Sequence, residues 1–331
     1  MIFKKFSKEH IEEARKLALN NYEEERLAVP ELPAVDSIPM VELFAENGLG
    51  IVAFENDKMV GFLGCFEPWS DAFDFLGDKG TFCPLMGHGA VKENRILIYQ
   101  KMFEKAASEW GTKEISSFAI ALYAHDSEAK QAFFEYGFGQ RCADKIRRME
   151  SIGEIKNKNL VFEELELSRF PEIRDLRIDL NNHLLKSPCF LKCSQKELEN
   201  WLNKVEAGDR RTFVVCGTDG KVLAYIDITG EGENFVGYNK KMRNIHGAYC
   251  VPEFRGQNVI QDLLEYVIRT LKAEGFELLG VDHESTNPTA NRFWRKYFTD
   301  YTCSVLRRFS EENAVEGEFI LILLCILLVS H

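Results

Sequence analysis

Ten residues in the second half of the chain, Val251-Pro252-Glu253-Phe254-Arg255-Gly256-Gln257-Asn258-Val259-Ile260, join a strand-like run to a strongly periodic helical one. Such a junction leaves backbone N–H groups unpaired beside the positive end of a helix dipole, which is the chemistry that holds a phosphate. Gly256 allows backbone to approach an anion closely, and Asn258 tolerates the left-handed angles of a tight loop. Groups able to move protons cluster nearby in the sequence. Asp227 and Glu231 close the third strand of this half, His246 enters the fourth, and Asp282, His283 and Glu284 close the fifth. His283 and Glu284 are the first choices for catalysis, because sites in α/β sheets gather at the carboxyl ends of strands. Cys250 could be read as a nucleophile, but no His or other base flanks it, so a small residue on a buried strand is the better reading.

The elements around these residues occur twice. Each half opens with a short apolar strand and a helix, Met1–Lys5 then His10–Glu25, and Leu160–Leu165 then Arg169–His183. Each continues with a hairpin, turning at Glu55-Asn56-Asp57-Lys58 in the first half and at Gly217-Thr218-Asp219-Gly220-Lys221 in the second. A strand, a loop and an amphipathic helix follow. In Val259–Glu274 the residues Ile260, Leu263, Leu264, Val267, Ile268 and Leu271 recur at helical spacing; Ile96–Glu109 is the counterpart. Each helix leads to a further strand, a short aromatic helix and a last strand ending in Arg-Arg, at Arg147-Arg148 and Arg307-Arg308. The matching order of elements predicts a duplication with its junction near Gly153–Lys158.

This order, with the loop sequence, resembles the GNAT (Gcn5-related N-acetyltransferase) superfamily. The family's loop reads Gln/Arg-x-x-Gly-x-Gly/Ala after a Val-x-Pro-Glu-aromatic lead. Arg255 stands at its first position, Asn258 where the middle Gly falls and Ile260 where Gly or Ala falls. Asn287-Pro288-Thr289-Ala290 matches the family's later Asn-x-x-Ala, and Trp294 stands where the family often has a Tyr that protonates departing coenzyme A. Trp cannot supply that proton as a hydroxyl does, so Tyr301 or solvent would have to. The resemblance implies an α/β protein of two tandem GNAT-like domains, each a mixed, mostly antiparallel sheet flanked by helices. Residues 1–152 would form a degenerate domain that shapes the substrate cleft, 158–310 a domain with the acyl-CoA loop, and 311–331 an apolar tail. It implies acetyl-CoA as cosubstrate, bound by Cys250, Val251, Arg255, Gly256, Gln257, Asn258, Val259, Ile260 and Asn287. Its acetyl group would pass by direct attack to a primary amine of a small molecule or peptide, with His283, Glu284 and Tyr301 as catalytic candidates. In the first half Pro84–Arg95 holds glycines without the Arg-x-x-Gly-x-Gly arrangement, and Phe133 falls at the Tyr position. Two other readings stay open: a non-catalytic acyl-CoA or metabolite-binding module, and a tandem protein of the aminoacyl-transferase type.

Composition narrows the partners. The 331 residues suit two domains, and 45% hydrophobic with 28% charged residues is a globular balance. A net charge of −11 disfavours nucleic acid and is compatible with a cationic substrate. Nine scattered cysteines with no C-x-x-C pair, and no leader at the start, read as reduced thiols of a cytoplasmic protein. Cys189, Cys193 and His183 fit no common zinc spacing, so no metal is expected. Phe319–Val329 is an apolar run that as a helix reaches about 16 Å, half of a bilayer core, so it is expected to pack on the body or mediate self-association rather than span a membrane.

Overall fold

A computed structural model describes residues 1–74, 78–111 and 113–309; the apolar tail and the self-association expected of it lie outside the described residues. The first half contains β1 (Ile2–Lys5), α1 (Ile11–Ala28), α2 (Leu43–Glu46), β2 (Ile51–Glu55), β3 (Lys58–Leu63), β4 (Trp69–Ser70), β5 (Lys79–Cys83), β6 (His88–Ala90), α3 (Arg95–Gly111), β7 (Ser117–Tyr123), α4 (Ser127–Glu135) and β8 (Gly139–Arg148). The second contains β9 (Val161–Leu165), α5 (Arg174–Leu185), α6 (Gln195–Glu206), β10 (Arg211–Cys216), β11 (Val222–Thr229), β12 (Met242–Cys250), α7 (Val259–Ala273), β13 (Leu278–Glu284), α8 (Pro288–Trp294), β14 (Thr299–Asp300) and β15 (Thr302–Arg308). No helix of the described residues is long and apolar enough to cross a membrane.

Local chemistry accounts for these elements. The first hairpin closes on Glu55↔Lys58 with Asn56 and Asp57 both at positive φ, 49° and 61°, the primed turn that matches strand twist. The second turns through Gly220 at φ 81°. Helix α7 buries Leu263, Leu264, Val267, Ile268 and Leu271, the stripe expected from its spacing.

The sheet that results is mixed and mostly antiparallel, with β5–β7 and β12–β13 as parallel pairs. Its order, β4-β5-β7-β15-β8-β13-β12-β11-β10-β9, runs unbroken through both halves, and β1-β2-β3-β6 forms a smaller sheet. The two last strands have changed places. β8, from the first half, lies along β13 from Leu278↔Arg148 to Glu284↔Cys142, and β15, from the second, lies along β7 from Thr302↔Tyr123 to Arg308↔Ser117. The repeated Arg-Arg endings take equivalent positions, Arg147 and Arg148 opposite Leu279 and Leu278, Arg307 and Arg308 opposite Phe118 and Ser117. β8 and β15 also pair with each other, and buried Lys145 on β8 bonds Asp300 of the second half.

Helices α3 and α7 cover one face. Phe118, Ile120 and Leu122 join the α3 core, while Phe213, Val215, Leu279 and Val281 join the α7 core. The alternate residues Val214, Cys216, Tyr225 and Tyr249 face α5 on the opposite side. Because each half completes the other's sheet, cutting the exposed link at Gly153–Glu154 should leave two fragments that co-elute as one species and separate only in denaturant. Fragments that part under native size-exclusion conditions would contradict the exchange.

Candidate functional site

The site begins where two strands separate. β12 and β13 are paired from Met242↔Leu278 to Ile245↔Val281, and there the ladder stops. β12 stays on β11, but its register jumps: Ile228 faces Ile245 and Asp227 faces Gly247, leaving His246 as the extra residue of a bulge. A bulge bends the strand and interrupts its ladder, so β12 swings away from β13 just where His246 and Asp282 begin. A cavity of about 820 Å³ occupies the opening. Its lining includes Ala248, Val281, Ala290 and Trp294 from the α7 side of the sheet and Leu180 and Leu184 of α5 from the other. The cavity therefore passes through the sheet.

On the α7 side lies the expected phosphate loop. Gly256 has φ 77° and Asn258 φ 64°, so Asn occupies the left-handed position its side chain tolerates. None of the backbone N–H groups of Gly256, Gln257, Asn258, Val259 or Ile260 donates to a protein acceptor, and the first bond of the helix is Asp262 N–H to Asn258 O at 2.8 Å. Several donors at a helix N-terminus thus face outward together. Arg255 folds back along this loop: its Nε donates to Cys250 O at 2.9 Å and its guanidinium lies 5.1 Å from the Tyr249 ring centroid. Val259 is buried and Ile260, half-buried, packs against the α7 core. Asn287 caps α8 by accepting from Thr289 N and Ala290 N, and it lines the cavity. Val251 is half-buried, and Cys250 is buried, its thiol pushed up to about 11 by desolvation, which leaves it protonated and a poor nucleophile.

On the α5 side a row of titratable groups crosses three strands. His246 on β12 lies beside Asp282 on β13, with Nδ1 3.5 Å from Oδ1, and Asp282 is the register partner of Asp144 on β8. Glu233, from the β11–β12 connection, brings Oε1 to 3.8 Å from the same imidazole nitrogen. Asp144 accepts at Oδ2 from Thr302 Oγ1 (2.7 Å) and Asn234 Nδ2 (2.9 Å). Burial pushes its carboxyl up to about 7, helped by the negative charges of Asp282 and Glu233. Partial desolvation in the cleft and the charge of Asp282 raise half-exposed Glu233, and the bond to Asp282 raises His246. Asp144 can therefore exchange a proton near neutrality. Glu233, His246 and Asp282 offer ligand atoms within 4.8 Å of one another, a spacing a divalent cation could use as well.

The structure brings His283 and Glu284 to the cavity. His283 Nδ1 donates to Glu284 O at 3.1 Å, so Nε2 carries the lone pair; that atom is buried with no partner, and burial lowers the imidazole pKa. Glu284 lies 3.9 Å from Arg141. Tyr301 does not reach the cavity lining: it is buried, and its hydroxyl accepts from Asn234 Nδ2 at 3.0 Å behind Asp144. Asp227 is also away from it, buried against Arg177 (3.0 Å) and Thr212 (2.7 Å), and Glu231 is exposed on its loop. Asp144, Glu233 and Asn234 were not anticipated. A signal existed for Asp144, an acid at the centre of the strand Ala143-Asp144-Lys145-Ile146, where ionised groups are rare unless they have a task.

The equivalent opening in the first half is bridged. β5 pairs with β7 as far as Cys83↔Ile120, and β6 joins β3. Buried His88 spans the gap, Nε2 donating to Ala121 O of β7 at 2.7 Å and Nδ1 accepting from Tyr99 Oη at 2.8 Å. Arg95 fills the start of α3, paired with Glu24 (2.8 Å) and Asp126 (2.9 Å).

Residues 172–298 match the model of the acetyltransferase (GNAT) family. That stretch is similar to a GNAT domain, and the fold of most of the chain is similar to that of solved GCN5-related N-acetyltransferases. A GCN5-related N-acetyltransferase from Sphaerobacter thermophilus superposes with a TM-score of 0.58 at 8% identity, covering 93% of this chain and 95% of that one. A fungal structure described as a GCN5-related glucosamine N-acetyltransferase region of a multi-domain GH3 beta-N-acetylglucosaminidase superposes with a TM-score of 0.53 at 12% identity, over 92% of this chain and 38% of that one. At these identities the likeness is one of fold. No curated protein matches the chain.

The Asp144 carboxyl yields a prediction with a definite sign. Its native pKa, about 7, lies above the unfolded 3.8, so between these values the native state holds the proton that the unfolded state has lost. Its contribution to stability is present below pH 3.8 and disappears as pH rises toward 7. Urea unfolding of Asp144→Asn should show a shallower fall in stability between pH 4 and 7 than the wild type, by about 3 kcal/mol over that interval. An unchanged slope would place the raised pKa elsewhere.

Proposed function

We propose that the chain is an N-acyltransferase that takes acetyl-CoA at the α7 loop and the β12–β13 opening and passes the acetyl group to a primary amine on the α5 side. The observation that carries this reading is the cavity through the sheet, lined by the Glu233–His246–Asp282–Asp144 cluster and by Gly247 and Ala248 of β12, the strand that leads on to the unpaired amides of the α7 loop. Gly256 through Ile260 and the charge of Arg255 would hold the pyrophosphate. The first half would supply Asp144 and one wall of the cleft, its own opening being bridged by His88.

The amine arrives as an ammonium and gives a proton to the acidic cluster. Held beside the thioester, the neutral amine attacks the carbonyl carbon; the C–N bond forms and the carbonyl electrons move to oxygen. Backbone N–H groups of β12 beyond Ile245, where its pairing with β13 ends, would meet that oxyanion. The bonded nitrogen gives its second proton to solvent, collapse breaks the C–S bond, and solvent protonates the thiolate, since Trp294 offers no hydroxyl and Tyr301 is sealed behind Asn234. Six carboxylates in the cavity lining, those of Asp71, Asp144, Glu197, Glu233, Asp282 and Glu284, favour a cationic acceptor and oppose the phosphates of a tRNA.

Calorimetry should detect acetyl-CoA binding that Arg255→Glu weakens at least about tenfold, a loss of about 1.4 kcal/mol, whereas Lys92→Glu in the first-half loop leaves it unchanged. Thiol release with a reactive amine should rise through pH 7 and fall about a hundredfold in Asp282→Asn. Binding without thiol release for any amine would mean a metabolite-binding module. Absence of binding at millimolar acetyl-CoA would refute both.

A further inference from the structure

The strand exchange has a consequence for the acceptor, and it rests on the transferase reading above. Following register across the sheet, Glu284 of β13 faces Cys142 of β8, Cys142 faces Ser304 of β15, and Ser304 faces Ala121 of β7. Opposed residues share a face, as do alternate residues of one strand, so Asp282, Asp144 and Ala119 belong to it too. Ala119 then pairs with Phe82 of β5, and Gly80, two residues before Phe82, pairs with Trp69 of β4. The cavity lining contains this whole series except Gly80. It is one groove, and its floor changes character along its length.

At the β12–β13 end the floor is acidic. Over β15, β7 and β5 it becomes small and apolar, with Ser304, Ala119, Ala121 and Phe82, and Leu85 beside them. At the far end Trp69, 39% exposed, and Phe73 meet edge to face at 5.0 Å, and the Arg141 guanidinium lies 5.4 Å from the Phe73 ring centroid. From β13 to β5 is four strand spacings, about 19 Å. A compact amine would fill only the acidic end. A chain carrying further ammonium groups would leave those in its middle desolvated over Ala119 and Ala121, whereas the Trp69 and Phe73 rings offer an apolar body its contact.

We infer that the acceptor is an elongated primary amine with an apolar body and an aromatic end, its ammonium at Asp282 and Glu233 and its body lying across β8, β15 and β7 to Trp69. The first half then serves as the specificity wall of a site whose chemistry belongs to the second.

The test uses the full chain, saturating acetyl-CoA and ω-phenylalkylamines with two to eight methylenes. The expected result is a tenfold or greater rise in kcat/KM with length, carried by KM, because contact with the body is made equally before and during transfer. Trp69→Ala, at a partly exposed position, should flatten the rise of kcat/KM with length. A linear diamine of the longest span should be a poorer substrate than the phenyl compound. Length-independent kcat/KM, or preference for the diamine, would overturn the inference while leaving the transferase reading intact. Calorimetric binding of the amines without acetyl-CoA separates the two in the other direction: affinity that grows with length in the wild type and not in Trp69→Ala supports the groove even if no thiol is released, which would count against transfer alone.

Discussion

A strand inside a sheet must have both edges paired, since buried N–H and C=O groups without partners are costly. In each half the strand of the parallel pair, β7 or β13, has one edge to fill, and in both cases the partner comes from the other half. Most other features of the molecule depend on that pairing. It places Asp144 of the first half opposite Asp282 of the second, sets Thr302 where it can hold the Asp144 carboxyl, and joins two sheets into one continuous floor. Removing the exchange would remove the Asp144 carboxyl, raised to about 7 by burial, together with the groove that leads to it.

The two halves then differ in one local respect. Both have a parallel pair that parts, but the bulge at His246 leaves an open passage, while His88 closes the other with bonds to β7 and to Tyr99. Burial lowers the His88 imidazole to about 4, so it remains neutral and keeps both bonds across the physiological range. The helix starts differ in the same sense. The start of α7 presents free amides, whereas Arg95 at the start of α3 is neutralised by Glu24 and Asp126. One duplicated plan yields one open cleft and one filled core.

Local patterns carried much of this into the sequence. The hairpin turns, the apolar stripe of α7 and the Arg255–Ile260 loop are encoded by residues close together in the chain, and each is found where its pattern placed it. Asn258 in the left-handed region is the clearest case, because a single side chain's tolerance decides the backbone there. The site was legible only in part. His283 and Glu284 reach the cavity because they end a strand, but Tyr301 turns inward to Asn234, and Asp227 is held by Arg177. Asp144 was hidden for a different reason. Its role depends on a pairing across 138 residues, from Asp144 to Asp282, that no local periodicity reports.

The central claim, a single acyl-CoA site at the α7 loop and the β12–β13 opening, is tested most directly by amide hydrogen exchange with and without acetyl-CoA. Protection is predicted at Gly256–Gln261 and at Gly247–Cys250, with none at His88–Ile96. Protection centred on the α3 loop of the first half, or none anywhere at saturating ligand, would contradict the account.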